Sequence, residues 1–182
     1  MTASASPPAP LVVVMGASGC GKSSVGAALA ARLGVPFQDA DDLHPASNIA
    51  KMSAGVPLTD EDRAPWLRIV GAELHRQENI GLVIACSALR QVYRDTIREH
   101  APRVFFVHLD VKKEVLAARL FMRSEHFMPL DLLESQLATL EPLAPEEPGI
   151  TVDATQKIHA IVSGAEDVVR ERGRTRAAAP LI

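Results

Sequence analysis

LVVVMGASGCGKSSVG, residues 11–26, is the stretch whose reading decides the architecture. Leu11, Val12, Val13 and Val14 form a continuous apolar run, as a buried strand requires. From Lys22 a helix is expected, with Val25, Leu29 and Leu33 on one face. Between the two, Gly16, Gly21, Lys22 and Ser23 satisfy the phosphate-loop pattern GxxxxGK[ST], and Gly19 adds a third glycine. Glycines at these points let successive backbone N–H groups face one concavity, to which the helix N-terminus adds partial positive charge. Such a concavity suits a triphosphate. Gly16, Ala17, Ser18, Gly19, Cys20, Gly21, Lys22, Ser23 and Ser24 are therefore the expected nucleotide contacts. Lys22 is expected at the β and γ phosphates, and the Ser23 hydroxyl on magnesium.

The chain of 182 residues has the length of one ordinary domain. A formal net charge of -3 and a pI near 6.1 argue against a nucleic-acid partner, which calls for a basic footprint. Cys20 and Cys86 have no metal-ligand spacing and fit a reducing compartment. No run of 18 apolar residues occurs, and MTASASPPAP at the start lacks the charged and apolar parts of a signal peptide. The expectation is a soluble cytoplasmic protein without a membrane partner.

Strands and helices alternate along the chain. Residues 1–10 read as a disordered tail. After Gly34, strands are expected over Val35–Asp39, Leu82–Cys86, Val104–Leu109 and Ile150–Asp153. Helices are expected from Asp60 or Pro65 to Gln77, within CSALRQVYRDTIREH with Leu89, Tyr93 and Ile97 on one side, from Lys112 to Arg123, around Leu133–Leu140, and along the stripe from Ile158 to Val169. The stretch DADDLHPASNIAKMSAGVPLTDEDRAPW between the second strand and the next helix reads as a polar loop. It is the first candidate substrate region, because open α/β sheets hold ligands at the carboxyl ends of their strands. The pattern implies an α/β fold with a five-stranded parallel sheet covered by helices on both faces. One domain spans about 11–172, with a small lid at about 119–129 and a flexible tail at 173–182.

The acceptor must be sought outside the phosphate loop. Asp39 and Asp41 alternate at the end of the second strand, so both carboxylates would leave on one side, near Ser23. Asp41 there suits the orienting or deprotonation of an attacking hydroxyl; the plainer reading is a helix or turn cap. Arg119 and Arg123, four apart on one helix face, are either the edge of a lid presenting guanidinium groups to the transferring phosphoryl or two solvated arginines. Arg63 lies among acids, where a surface ion pair competes with a clamp on a substrate carboxylate. His44 precedes Pro45 as a turn residue, His126 adjoins Phe127, and neither belongs to a metal cluster, so no zinc is assigned.

Together these strings resemble the thermoresistant-type gluconokinases, a group of P-loop small-molecule kinases with a nucleoside-monophosphate-kinase-like fold. The resemblance runs from about Leu11 to Val169. It is carried by GASGCGKSSVG, DADDLHPASNIAKMSAGVPLTDEDRAPWL, CSALRQVYRD and RLFMRSEHFMPLDLLESQLATLEPL, in that order and spacing. It implies transfer of the ATP γ-phosphoryl to the 6-hydroxyl of D-gluconate with magnesium, a homodimer, and a central phosphate-loop strand. By position it implies Asp41 at the acceptor hydroxyl, Arg63 at the substrate, Arg119 and Arg123 at the lid, and His44 and His126 in the pocket.

Three departures from the family pattern stand out. Cys20 replaces a serine within the loop, Arg90 stands where lysine is common and substrate contact is expected, and Ser124 and Glu125 bring an acid into the lid. Two other readings are a related kinase acting on another small hydroxy acid such as shikimate, and a non-catalytic nucleotide-binding regulator.

Overall fold

The computed structural model describes residues 7–122 and 130–178 of the chain. Five strands, β1 (Leu11–Met15), β2 (Phe37–Asp39), β3 (Leu82–Ala85), β4 (Phe105–Asp110) and β5 (Gly149–Asp153), form one sheet in the order β2-β3-β1-β4-β5. All four pairings are parallel, and β1 is the central strand. A parallel sheet requires a crossover between strands, which the helices supply. They are α1 (Lys22–Leu33), α2 (Ala46–Ser53), α3 (Asp60–Arg76), α4 (Gln91–His100), α5 (Lys113–Phe121), α6 (Leu130–Thr139) and α7 (Ile158–Ala178).

The period of two along β1 divides the core between the two faces of the sheet. Val12 and Val14 pack with Val25 and Leu29 of α1 and with Ile161, Val162 and Ala165 of α7. Leu11, Val13 and Met15 pack on the other face with Trp66, Leu67 and Val70 of α3 and Tyr93 and Ile97 of α4. Because both faces are covered, every residue of β1 and β3 is buried, which explains their unbroken apolar runs. Gly71 lets α3 and α4 approach closely: a Cβ there would lie 2.9 Å from the carbonyl oxygen of Ile97.

Several boundaries differ from the sequence reading. β2 begins at Phe37 rather than Val35, and Asp41 lies in a 3-10 turn, Ala40–Leu43, instead of continuing the strand. Helix α3 starts at Asp60 because Thr59 and Asp62 form a reciprocal capping box; Pro65 sits inside the helix. The polar loop contains α2, whose only buried residue is Asn48 and whose Ile49 and Met52 face solvent, so no apolar stripe announces it. α7 continues to Ala178 instead of giving way to a tail at 173, since Arg174, Thr175, Arg176 and Ala177 tolerate a helix without packing. The expected lid at 119–129 falls largely outside the described residues.

Candidate active site

The phosphate loop follows β1, and its shape depends on left-handed glycines. Gly16, Gly19 and Gly21 have φ of 142, 81 and 101°. At Gly16 space is excluded as well: a Cβ would meet the carbonyl oxygen of Leu109 at 2.8 Å and Cys20 Sγ at 2.9 Å. Around Gly21 nothing lies within 4 Å, so only the backbone conformation demands glycine there. Lys22 opens α1 and folds back to donate from Nζ to the carbonyl of Ala17 at 3.1 Å. The loop leans on two neighbours: Gly16 N–H donates to Ser87 O at 3.4 Å, and Ser18 N–H donates to Gln136 Oε1 of α6 at 2.7 Å.

A short connection joins this loop to the acids after β2. Ser23 Oγ donates to Asp39 Oδ2 at 2.7 Å, while Asp39 Oδ1 accepts from the backbone N–H of Asp41 at 3.1 Å. Asp39 thus both caps the 3-10 turn and reaches the loop serine. The expected strand alternation does not hold at Asp41: the 3-10 turn and not the strand pleat carries it, and of the two acids it is Asp39 that reaches Ser23. Although the Asp41 side chain is 83% exposed in the open site, partial desolvation by its surroundings and the nearby Asp39 charge raise its carboxyl above the ordinary value, against the opposing pull of Lys22 and His44.

His44 is placed by packing. Its ring stacks on Trp66 with centroids 4.2 Å apart, and Trp66 is fixed by a 2.7 Å hydrogen bond from Nε1 to Ala40 O. The amide of buried Asn48 donates to Asp62 O at 2.9 Å and faces His44 Nδ1 at 3.3 Å. With Nδ1 accepting, the ring proton sits on Nε2, 3.9 Å from Asp41 Oδ1. Burial lowers the pKa of this histidine, and the Arg63 charge lowers it further. Among the described residues no group of three His, Cys, Asp or Glu side chains could hold a metal ion.

Arg63 and Arg90 come together around one aromatic ring. Each guanidinium carbon lies 5.8 Å from the Tyr93 centroid. Arg63 donates to Leu58 O, and Arg90 pairs with Asp60 and, at 3.5 Å, with Glu141. Arg119 is part-buried and bridges two backbones, donating to Cys20 O at 3.3 Å and Ala154 O at 2.8 Å. It borders a cleft of about 180 Å³ whose other walls are Gly19–Gly21, Ala154, Gln156 and Ile158. Arg123 and His126 lie outside the described residues. The sequence reading put Asp39 near Ser23 but gave it no role of its own, and it did not reach Gln136 or the 154–158 wall. Asp39 was detectable from its place beside Asp41, whereas the other two arrive from distant elements with no motif of their own.

The two thiols are buried and free. Burial raises the pKa of Cys20, and it pushes the Cys86 thiol up to about 12. Both are therefore poor nucleophiles.

The shikimate kinase family profile matches residues 18–162, which places the chain in that broad family. A curated gluconokinase of Gluconobacter oxydans (strain 621H) is 46% identical over 161 residues, covering 87% of this chain and 89% of the relative. The chain belongs to the gluconokinase family. A crystal structure of a gluconokinase from Sinorhizobium meliloti 1021 superposes with a TM-score of 0.84 at 45% identity, covering 94% of this chain and 96% of that one. A shikimate kinase of Bacteroides thetaiotaomicron, at 19% identity and a TM-score of 0.63, shares the fold. The gluconokinase likeness thus covers most of the chain.

Proposed function

We propose that this protein transfers the γ-phosphoryl group of ATP to the 6-hydroxyl of D-gluconate, giving 6-phospho-D-gluconate and ADP. The observation that carries this reading is the identity of 45 to 46% with gluconokinases over nearly the whole of both chains. The shikimate kinase profile matches at the level of the broad family, but the solved shikimate kinase is only 19% identical and shares the fold alone. Asp41, which follows the Ser23-bonded Asp39 in the 3-10 turn and feels the Lys22 charge, supports an enzyme over a passive nucleotide binder.

In this reading the loop N–H groups and Lys22 hold the phosphates and neutralise charge on the transferring group. Ser23 Oγ and Asp39 are hard oxygen donors held 2.7 Å apart, a donor set that fits magnesium. Bound there, the ion would offset negative charge on the β and γ phosphates. Asp41 accepts a hydrogen bond from the 6-hydroxyl and takes its proton as the new P–O bond forms. Its raised pKa makes it a better proton acceptor than an ordinary aspartate. His44, neutral and donating from Nε2, orients Asp41 or the neighbouring hydroxyl. Arg63 and Arg90 receive the carboxylate at the far end of the substrate.

The cleft beside Arg119 takes the nucleotide base between a guanidinium and the apolar Ile158. The family resemblance assigns Arg119 and Arg123 to a lid and His126 to the pocket. The same resemblance supports a homodimer, and the buried free thiols suit the reducing cytoplasm.

The test is a coupled assay with Mg-ATP and D-gluconate, reading NADPH from added 6-phosphogluconate dehydrogenase, beside Lys22→Ala. Robust NADPH formation, absent in the variant, is expected. ATP consumption with shikimate and none with gluconate would move the substrate.

A further inference from the structure

One internal carboxylate already occupies the environment proposed for the substrate's carboxylate. Asp60 accepts a hydrogen bond from the Tyr93 hydroxyl and forms an ion pair with Arg90 Nη1. These bonds hold its carboxyl below the usual range, the Tyr93 bond contributing most and the Arg90 and Arg63 charges adding to it. Helix capping does not explain the arrangement. The N-terminus of α3 is already served by Thr59 and Asp62, while the Asp60 side chain turns instead to Tyr93 and Arg90.

Arg90 is held at two points of unequal character. Its Nε faces Glu141, which is itself fixed because its carboxylate accepts the N–H of Gln91 at 2.6 Å and its backbone N–H donates to Leu89 O at 2.8 Å. The outer end, Nη1, is taken by Asp60, whose side chain is 50% exposed. An exposed ion pair of this kind exchanges partners at little cost. Glu141 is nearly as exposed, at 46%, and its contact is the longer, but its backbone bonds to Gln91 and Leu89 hold it in place, so it can keep Arg90 oriented while the Asp60 contact is replaced.

The spacing along α3 matches the proposed substrate. Asp60, Arg63 and Trp66 recur every three residues and so fall along one side of the helix. Trp66 stacks on His44, which faces Asp41, and Arg63 and Arg90 flank Tyr93 at the other end. From residue 60 to residue 66 the helix rises about 9 Å, comparable with an extended six-carbon acid.

The geometry points to Asp60 as a stand-in for the substrate carboxylate: it holds Arg90 and Tyr93 in the free enzyme and is displaced when a sugar acid binds. The inference rests on the reading that Arg63 and Arg90 receive that carboxylate. Asp60 is a specificity-determining residue in this scheme. A neutral polyol cannot replace its charge on Arg90, so only an acid of the right length gains both guanidinium groups.

The test compares steady-state kinetics of the full-length protein, Asp60→Asn and Arg90→Met with D-gluconate and with D-gluconamide, which is neutral at the same carbon. Removing the internal competitor is expected to lower KM for gluconate about three- to tenfold, with the larger part of the change in KM and not kcat. KM for gluconamide is expected to move less than about twofold, since no exchange of charges occurs. Arg90→Met is expected to raise KM for gluconate by at least about tenfold. If Arg90→Met raises that KM while Asp60→Asn raises it too or leaves it alone, Asp60 only orients Arg90 and the stand-in role is overturned. An Arg90→Met variant with unaltered KM for gluconate would remove the carboxylate site itself, and the inference with it.

Discussion

Glu147→Gln is the substitution whose effect on stability the structure determines most fully. Arg94 and Glu147 are both without solvent exposure, and Arg94 Nε and Nη2 donate to the two carboxylate oxygens at 2.6 and 2.8 Å. Arg94 also donates to the carbonyls of Ala88, Leu89, Glu141 and Pro142, so one guanidinium ties the segment after β3 to the segment after α6. The glutamine keeps shape but leaves the guanidinium charge buried and uncompensated, a change that costs about 3–5 kcal/mol. The four carbonyls retain part of their electrostatic support, which favours the lower end. At about 2–4 °C per kcal/mol for a chain of this size, Tm should fall by about 6–12 °C. Burial pushes the Glu147 carboxyl up, but the Arg94 hydrogen bonds and the Ala144 N–H outweigh it, and the folded pKa lies below the ordinary 4.5. A depressed carboxylate stabilises the fold above the unfolded pKa, and the contribution is lost as pH falls through the folded pKa. The gap between wild type and variant should therefore be widest near neutral pH and close progressively below pH 4.5. Thermal melts followed by circular dichroism across that range measure both effects. A variant melting within about 2 °C of wild type at neutral pH would refute the reasoning.

Three other outcomes are expected. Gly16→Ala meets both a φ of 142° and the Leu109 carbonyl at 2.8 Å, and should weaken nucleotide binding about tenfold or more by calorimetry. Gly21→Ala, with open space around it, should do less damage. Asp41→Asn should reduce kcat by about 10²–10⁴ while the nucleotide Kd stays near wild type. Because Asp41 must be ionised to accept a proton and its pKa is raised, kcat/KM should rise with pH through a limb lying above the ordinary 3.8, and the variant should lose that limb. Trp66→Phe strands the buried Ala40 carbonyl and should lower stability by about 1–3 kcal/mol in urea unfolding.

The sheet and the phosphate loop were legible in the sequence because their physics is local. Leu11 to Val14 is apolar at every position, since both faces of β1 are covered, and the loop glycines are demanded by backbone conformation. The acidic region was legible only in part. Asp41 is placed by a 3-10 turn that Asp39 caps, and neighbouring aspartates do not distinguish such a turn from a strand end. α2 escaped notice because it is held by Asn48 and by the Lys51–Asp62 ion pair at 2.6 Å, not by an apolar stripe. Arg94 was unreadable as a structural residue, for nothing near it in sequence signals the acid fifty-three positions away. Arg63 and Arg90 lie twenty-seven positions apart in the chain, and only the packing of α3 on α4 brings both to Tyr93.

Phosphoryl transfer to the terminal hydroxyl of gluconate is the proposed reaction of this protein. The most direct measurement is carbon and phosphorus NMR of the product formed from Mg-ATP and uniformly ¹³C-labelled D-gluconate, with Lys22→Ala in parallel. Phosphorus coupling at carbon 6, present for the wild-type protein and absent for the variant, is the result the account predicts. Coupling at any of carbons 1 to 4 in place of carbons 5 and 6, or unchanged gluconate in a sample that binds ATP, would contradict it.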